Sequence, residues 1–284
     1  MLTRVTKVVN EEKSFLNHQD QSRDISQNRP YPIKSLGQNY LQNRAVISQI
    51  VAKLELKDSD NLLEIGPGPG AFTSLISQNK FNKYFLVEID ERFNGNLSKI
   101  LEKNSLHYDI VNQNFLDYDL ATLTKEISPL IIFGAIPYNI TSPILHTILK
   151  LNIRPKVVVL VVQKEFAEKL LSQNPRANYW TYATLGYSIS KIVTIKAQDF
   201  YPVPKVDSMA IKMVLDPTQD DLLQKIGFRK WEKFLHHIYK NPRKMINKVF
   251  DKETLNKLGI SPEIRPQNLS LQDMIKLLDN SNIK

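Results

Sequence analysis

Apolar positions in the middle of this chain fall into short runs separated by longer amphipathic stretches. Residues 61–65, 84–88, 107–111, 130–134 and 157–163 read as strands, and the segments between them carry the three-to-four-residue spacing of helices. That alternation predicts an α/β domain with a mainly parallel sheet covered by helices on both faces. Two further strands, 192–196 and 209–215, flank a proline-rich loop at 200–205. Beyond Asp216-Pro217-Thr218 the pattern becomes helical only, with helices expected at 222–237, 242–250 and 271–278. The expected organisation is therefore an N-terminal extension over 1–30, a larger α/β domain over 31–217 and a small all-α domain over 218–284. Residues 1–30 are polar and charged with weak periodicity, which predicts a mobile or loosely docked segment.

Composition narrows the function classes. With 284 residues and 42% hydrophobic content the chain can bury a full core. No run approaches the roughly 20 apolar residues needed to span a bilayer, and no apolar signal segment opens the chain, so a cytoplasmic protein without a membrane role is expected. The absence of cysteine excludes thiolate chemistry, and five scattered histidines give no metal-ligand spacing. A net charge of +9 and a pI near 9.4 favour a polyanionic partner. The charge is concentrated: between Asp221 and Phe250, eight Lys and Arg stand against two acids, interleaved with Trp231, Phe234, His236, His237 and Tyr239. As a cluster this favours nucleic-acid contact, although each residue alone reads equally well as a solvated helix face over a core aromatic. Nothing points to an obligate interface, and a monomer is expected.

The chemistry sits at the ends of the predicted strands. After the first comes Glu64-Ile65-Gly66-Pro67-Gly68-Pro69-Gly70, where glycines let the backbone turn sharply and approach a ligand at the carboxyl edge of the sheet. Alone, this loop could hold a dinucleotide. The next strand ends at Glu88, about twenty residues on, where a carboxylate can take both hydrogen bonds of a ribose diol. The Glu-x-Gly-x-Gly form with two prolines resembles an S-adenosylmethionine loop more than a pyrophosphate loop. The fourth strand leads into Ala135-Ile136-Pro137-Tyr138, which resembles the methylation motif of enzymes acting on exocyclic amines, with Ala135 where those enzymes carry Asn or Asp.

Taken together, these motifs identify the chain as similar to the ribosomal RNA adenine dimethyltransferases over about 31–278, and the small-subunit branch fits best. Lys34-Ser35-Leu36-Gly37-Gln38-Asn39-Tyr40-Leu41 resembles the family's amino-terminal signature. Gln163-Lys164-Glu165 and Phe200-Tyr201-Pro202-Val203-Pro204-Lys205-Val206-Asp207-Ser208 resemble two further blocks. The resemblance implies dimethylation of adenine amines in a small-subunit ribosomal RNA hairpin, within an assembling subunit, with S-adenosyl-L-methionine as methyl donor. It assigns Gln38, Asn39, Leu41, Gly66, Gly68, Glu88 and Asn114 to the cofactor. It assigns the amine to the position of Ala135, the Pro137 carbonyl and the Tyr138 ring.

The departures from the family bear on activity. An adenine amine is a poor nucleophile, and the family orients it with an Asn oxygen that Ala135 lacks. Such a contact is worth about 2.7–4 kcal/mol, so impaired rather than abolished activity is expected. Asn114 stands where Asp is usual and is expected to accept through its oxygen. Trp180 replaces a small residue, and Pro242 stands where Arg usually precedes Arg243. Ala135 is equally consistent with a deliberate substitution and with natural drift. Three functions follow: a dimethyltransferase, an RNA-binding assembly factor on the same fold, or a methylase of other substrate, including one with a role in transcription like that of mitochondrial relatives.

Overall fold

The computed structural model describes residues 23–24, 29–171 and 178–281. Most of the extension expected over 1–30 lies outside the described residues; of it, Arg23–Asp24 pairs antiparallel with Arg29–Pro30.

The central sheet has seven strands: β1 (Asn61–Ile65), β2 (Lys83–Glu88), β3 (Tyr108–Asn112), β4 (Leu130–Ala135), β5 (Val157–Gln163), β6 (Tyr187–Ile195) and β7 (Ser208–Leu215). Their order across the sheet is β3-β2-β1-β4-β5-β7-β6. Registers from β3 through β5 are parallel, as the helix-separated apolar runs predict. The interior strands β1 and β4 are buried nearly throughout, which is why they read as continuous apolar runs rather than alternating ones. β6 is longer than its expected 192–196, because the polar residues Ser188, Ser190 and Lys191 interrupt the apolar signal of a half-solvated strand.

The strand order reverses at β1, whose neighbours are β2 on one side and β4 on the other. In such sheets the carboxyl ends of the strands at the reversal diverge and leave a crevice. Ile65 is in register with Gly134 and with Val87, so the glycine loop after β1, the acid ending β2 and the motif after β4 emerge side by side. Among the helices of this region are α1 (Arg44–Ala52), α2 (Thr73–Ile76), α3 (Asn94–Lys103), α4 (Leu120–Glu126) and α5 (Thr141–Leu149). A core including Ile50, Leu62, Phe72, Tyr84, Leu97 and Phe133 closes around the sheet.

The chain divides into two compact units, and a single cut near residue 217 does not describe them. The larger takes the chain through Ile148 with Ile153–Lys164 and Lys191–Lys212. The smaller takes Leu149–Asn152, Glu165–Ser190 and the chain from Met213 onward. The reason lies in its own core. Trp231 is fully buried and donates from Nε1 to the Tyr182 carbonyl at 2.8 Å, and the Tyr182 hydroxyl donates to the Leu269 carbonyl at 2.5 Å.

Helices of the smaller unit include α6 (Lys164–Leu171, beginning one residue before it), α7 (Tyr179–Ala183), α8 (Pro217–Ile226), α9 (Phe228–Tyr239), α10 (Lys252–Lys257) and α11 (Leu271–Asp279). Two expectations fail here. The helix over 222–237 is broken at Gly227, whose N–H closes α8 onto the Leu223 carbonyl and whose carbonyl opens α9 through Trp231 N–H. The helix over 242–250 shrinks to one 3-10 turn, Ile246–Lys248, because Ile246 and Asn247 donate to the carbonyls of Ile264 and Pro262 instead of to a preceding turn. Trp180, a departure from the family pattern, packs edge-on against Phe166 at 5.1 Å and so serves this core. The interleaved aromatics resolve the same way: Trp231 and Phe234 are interior, while Arg229, Lys233, His236, His237, Lys240, Arg243, Lys244 and Lys248 face solvent.

Candidate active site

A cavity of about 230 Å³ opens at the carboxyl ends of β1, β2, β3 and β4. Every residue singled out from the sequence lines it: Gln38, Asn39, Leu41, Gly66, Gly68, Glu88, Asn114, Ala135, Pro137 and Tyr138. Four loops and the segment before α1 thus bring together positions up to 100 residues apart in sequence.

On the side of β1 and β2 the polar groups answer one another. Gly68, in the left-handed conformation at φ +55°, turns its N–H to Glu88 Oε2 at 2.8 Å. Asp90 N–H donates to the other oxygen, Oε1, at 2.8 Å. A Cβ on Gly68 would meet the Tyr40 ring at 3.3 Å, so backbone conformation and space both call for glycine. Glu88 is only 4% exposed; burial raises its pKa, and the two backbone N–H groups oppose the rise. Each of its oxygens keeps a lone pair, so the carboxylate can still accept a pair of hydroxyls. A Cβ on Gly66 would meet no protein atom within 4 Å, so the loop leaves open space at the cavity's edge. This donor and acceptor set fits a ribose-bearing cofactor.

Two of the residues assigned to the cofactor also bond within the protein on this side. Gln38 lines the cavity but spends its amide on protein: Nε2 donates to Asp90 Oδ2 at 2.8 Å, and Oε1 accepts from Ile33 N at 2.7 Å and Tyr40 OH at 2.6 Å. The oxygen of Asn114, expected to serve the cofactor, accepts from Leu116 N–H at 3.1 Å and caps the 3-10 turn Phe115–Asp117. That oxygen keeps a second lone pair, and the Nδ2 beside it is a donor.

The sequence did not single out Glu64. It is 1% exposed at the end of β1, lines the cavity, and accepts from Thr73 Oγ1 at 2.8 Å and from the Tyr84 hydroxyl. Burial pushes its carboxyl up to about 7, with Glu88 adding to the rise and the two hydroxyl donors opposing it. Its place in the Glu-x-Gly-x-Gly motif was the available signal, but that motif reads as a backbone feature.

On the side of β4 the polar atoms of the motif itself are largely engaged within the protein. Ala135 ends the strand, in register with Val161, and offers a methyl group. The Pro137 carbonyl, expected to take the substrate amine, accepts from Ile140 N at 3.2 Å and Thr141 Oγ1 at 3.3 Å, so both its lone pairs are engaged. The Tyr138 hydroxyl pairs with Ser208 Oγ at 2.6 Å, which fixes the ring; burial raises its pKa against that hydrogen bond. Ser208 was visible only as part of a sequence block.

No group of His, Asp or Glu that could hold a metal ion occurs among the described residues. No helix among them is long and apolar enough to cross a membrane.

Comparison with known proteins agrees with this geometry. The chain is 33% identical over 257 residues to ribosomal RNA small subunit methyltransferase A of Sulfurihydrogenibium sp. (strain YO3AOP1), covering 88% of this chain and 96% of that protein. It is 34% identical over 259 residues to the protein of the same name from Pelagibacter ubique (strain HTCC1062), covering 86% and 95%. In fold it matches a dimethyladenosine transferase from Plasmodium falciparum, with a TM-score of 0.74 at 22% identity over 84% of this chain and 96% of that one. The 23S rRNA methyltransferase ErmE matches with a TM-score of 0.66 at 23% identity over 84% and 98%. The ribosomal RNA adenine dimethylase family profile matches residues 33–281, and with the cavity built from the same segments, the chain belongs to that family.

Proposed function

We propose that the chain transfers methyl groups from S-adenosylmethionine to the exocyclic amines of adenines in small-subunit ribosomal RNA, at a rate lowered by Ala135. The observation that carries this is the convergence of the ten motif residues on one cavity. Relatives named for the small subunit reach 33% and 34% identity over 96% and 95% of their own length, which favours the small subunit as substrate. A hairpin presented during subunit assembly is the form of substrate proposed.

The cofactor would supply an electrophilic methyl group on a sulfonium. The protein's part is to position. Glu88, aimed by Gly68 and Asp90 N–H groups, holds the ribose hydroxyls; Asn39, Leu41 and Asn114 complete the enclosure. An adenine turned out of its stack lies against the Tyr138 ring, which Ser208 holds in place. The amine lone pair is delocalised into the base, so acceptors must draw its N–H bonds and turn the lone pair toward the methyl group. With the Pro137 carbonyl engaged, the Ile136 carbonyl, one peptide earlier, is the acceptor we assign. Ala135 withholds the second. No base of shifted pKa is needed, because the methylated amine is acidic enough to lose its proton to water.

A second reading rests on Ala135 itself: a member of this fold that binds cofactor and ribosomal RNA and acts chiefly as an assembly factor. Labelled methyl transfer to undermethylated small subunits separates the two. Incorporation above a no-enzyme control supports the enzyme, and binding without incorporation supports the factor. Binding should also weaken steeply with salt through the exposed cations of the helical unit, and a flat response removes that electrostatic argument.

A further inference from the structure

The segment 31–41 lines the cavity through residues 35–41, and it is tied to Asp90 directly by Gln38 and through Arg92 at Tyr31; Asp90 itself does not line the cavity. Asp90 is 6% exposed. Its N–H donates to Glu88, its Oδ2 accepts from Gln38 and from Arg92 Nη2 at 2.6 Å, and its Oδ1 accepts from Arg92 Nε at 2.8 Å, so the guanidinium pairs with both oxygens. Arg92 continues to the segment's start, donating from its guanidinium to the Tyr31 carbonyl at 3.2 Å. Gln38 in turn folds the segment on itself through Ile33 N–H and Tyr40 OH. The residues beside it are tightly placed: a Cβ on Gly37 would lie 3.1 Å from Pro137 Cβ. One carboxylate thus fixes the strap that walls the cavity, while the backbone N–H of the same residue fixes the acid that faces it.

We propose that Gln38 and Asp90 form a latch that positions the strap 31–41 and Glu88 together, so that both are positioning residues for cofactor binding and Gln38 is not itself a cofactor ligand. This rests on the cavity being the cofactor site. The contact is directional, with the amide donating and the carboxylate accepting, and so it can be reversed. Gln38→Glu sets a second carboxylate against Asp90, while its Oε1 can still accept from Ile33 and Tyr40. Adding Asp90→Asn restores a hydrogen bond of opposite sense and returns the local net charge to its original value; Arg92 keeps its Nε bond to Oδ1, and its Nη2, which loses Oδ2, is left to the carboxylate introduced at position 38.

The test is calorimetric titration with S-adenosylhomocysteine, with small-subunit RNA affinity measured in parallel. Gln38→Glu is expected to raise the Kd about tenfold or more, since two carboxylates then face each other at a buried site. The double substitution is expected to return within about threefold of the unaltered chain, since an amide–carboxylate hydrogen bond is kept and the worth of such a bond varies by about that factor with its setting. RNA affinity should not move in either. If Gln38→Glu does not fold, the double substitution alone decides: tight binding supports the latch, and weak binding or failure to fold overturns it. A Gln38→Glu Kd equal to the unaltered one, or a double substitution as weak as the single, overturns the latch and leaves the cofactor site standing. No binding by the unaltered chain overturns the cofactor site and the latch with it.

Discussion

The two halves of the cavity differ in how their polar atoms are used. On the β1–β2 side, Glu88 takes two backbone N–H groups and keeps lone pairs for a ligand, and the strap is pinned through Gln38, Asp90 and Arg92. On the β4 side, the Tyr138 hydroxyl and the Pro137 carbonyl are engaged within the protein, and Ala135 has no polar side-chain atom to give. On the proposed function, the half that would bind the cofactor is complete, and the half that would orient the acceptor lacks one side-chain contact at Ala135.

Substitutions on each side should break or sharpen this contrast. The largest loss is expected for Glu88→Ala, which orphans the N–H groups of Gly68 and Asp90 and, on the proposed cofactor placement, removes two charge-assisted hydrogen bonds to ribose worth roughly 1.5–3 kcal/mol each. S-adenosylhomocysteine affinity should fall about a thousandfold by calorimetry; a change under tenfold would separate Glu88 from the cofactor.

Glu64 gives a pH signature on the same side. Its folded pKa of about 7 lies above the ordinary 4.5, so the folded state holds the proton more tightly. Its contribution to stability is full below about pH 4.5 and is lost as pH rises to about 7, a difference of roughly 3 kcal/mol. Glu64→Gln, which can still accept from Thr73 and Tyr84, should remove that fall. Thermal midpoints of the two proteins should lie together near pH 5 and separate by pH 8, with the variant higher; parallel curves would contradict the burial argument.

The smallest effect is expected at Asn114. Its oxygen caps Leu116 N–H, so Asn114→Asp keeps the cap and exchanges the remaining donor for an acceptor. If that atom meets the cofactor's adenine amine, affinity should rise by about fivefold, one hydrogen bond's worth. No change would place the adenine elsewhere.

Much of this was legible in the sequence. The five parallel strands were placed to within a residue at each end, since a strand buried on both faces is a short, nearly unbroken apolar run bounded by polar turns. The glycine loop, Glu88 and the Pro-Tyr pair were legible as cavity-lining positions because each stands at or just past a strand end that the apolar pattern marks. What stayed hidden depends on partners distant in sequence. Nothing near Gln38 announces Asp90, and nothing near Pro137 shows that Thr141 and Ile140 turn back onto its carbonyl. Gly227 and the segment after Pro242 were misread for the same reason: periodicity continues across the one, and the backbone of the other bonds to residues 262–264.

The central claim is that an intact cofactor half serves an acceptor half short of one contact. The direct measurement is single-turnover methyl transfer from labelled S-adenosylmethionine to undermethylated small subunits by the chain and by Ala135→Asn, with S-adenosylhomocysteine affinity measured on both. The account predicts equal affinities and a rate about 10²–10³ higher for Ala135→Asn. Equal rates, or a gain in rate matched by a gain in cofactor affinity, would contradict it.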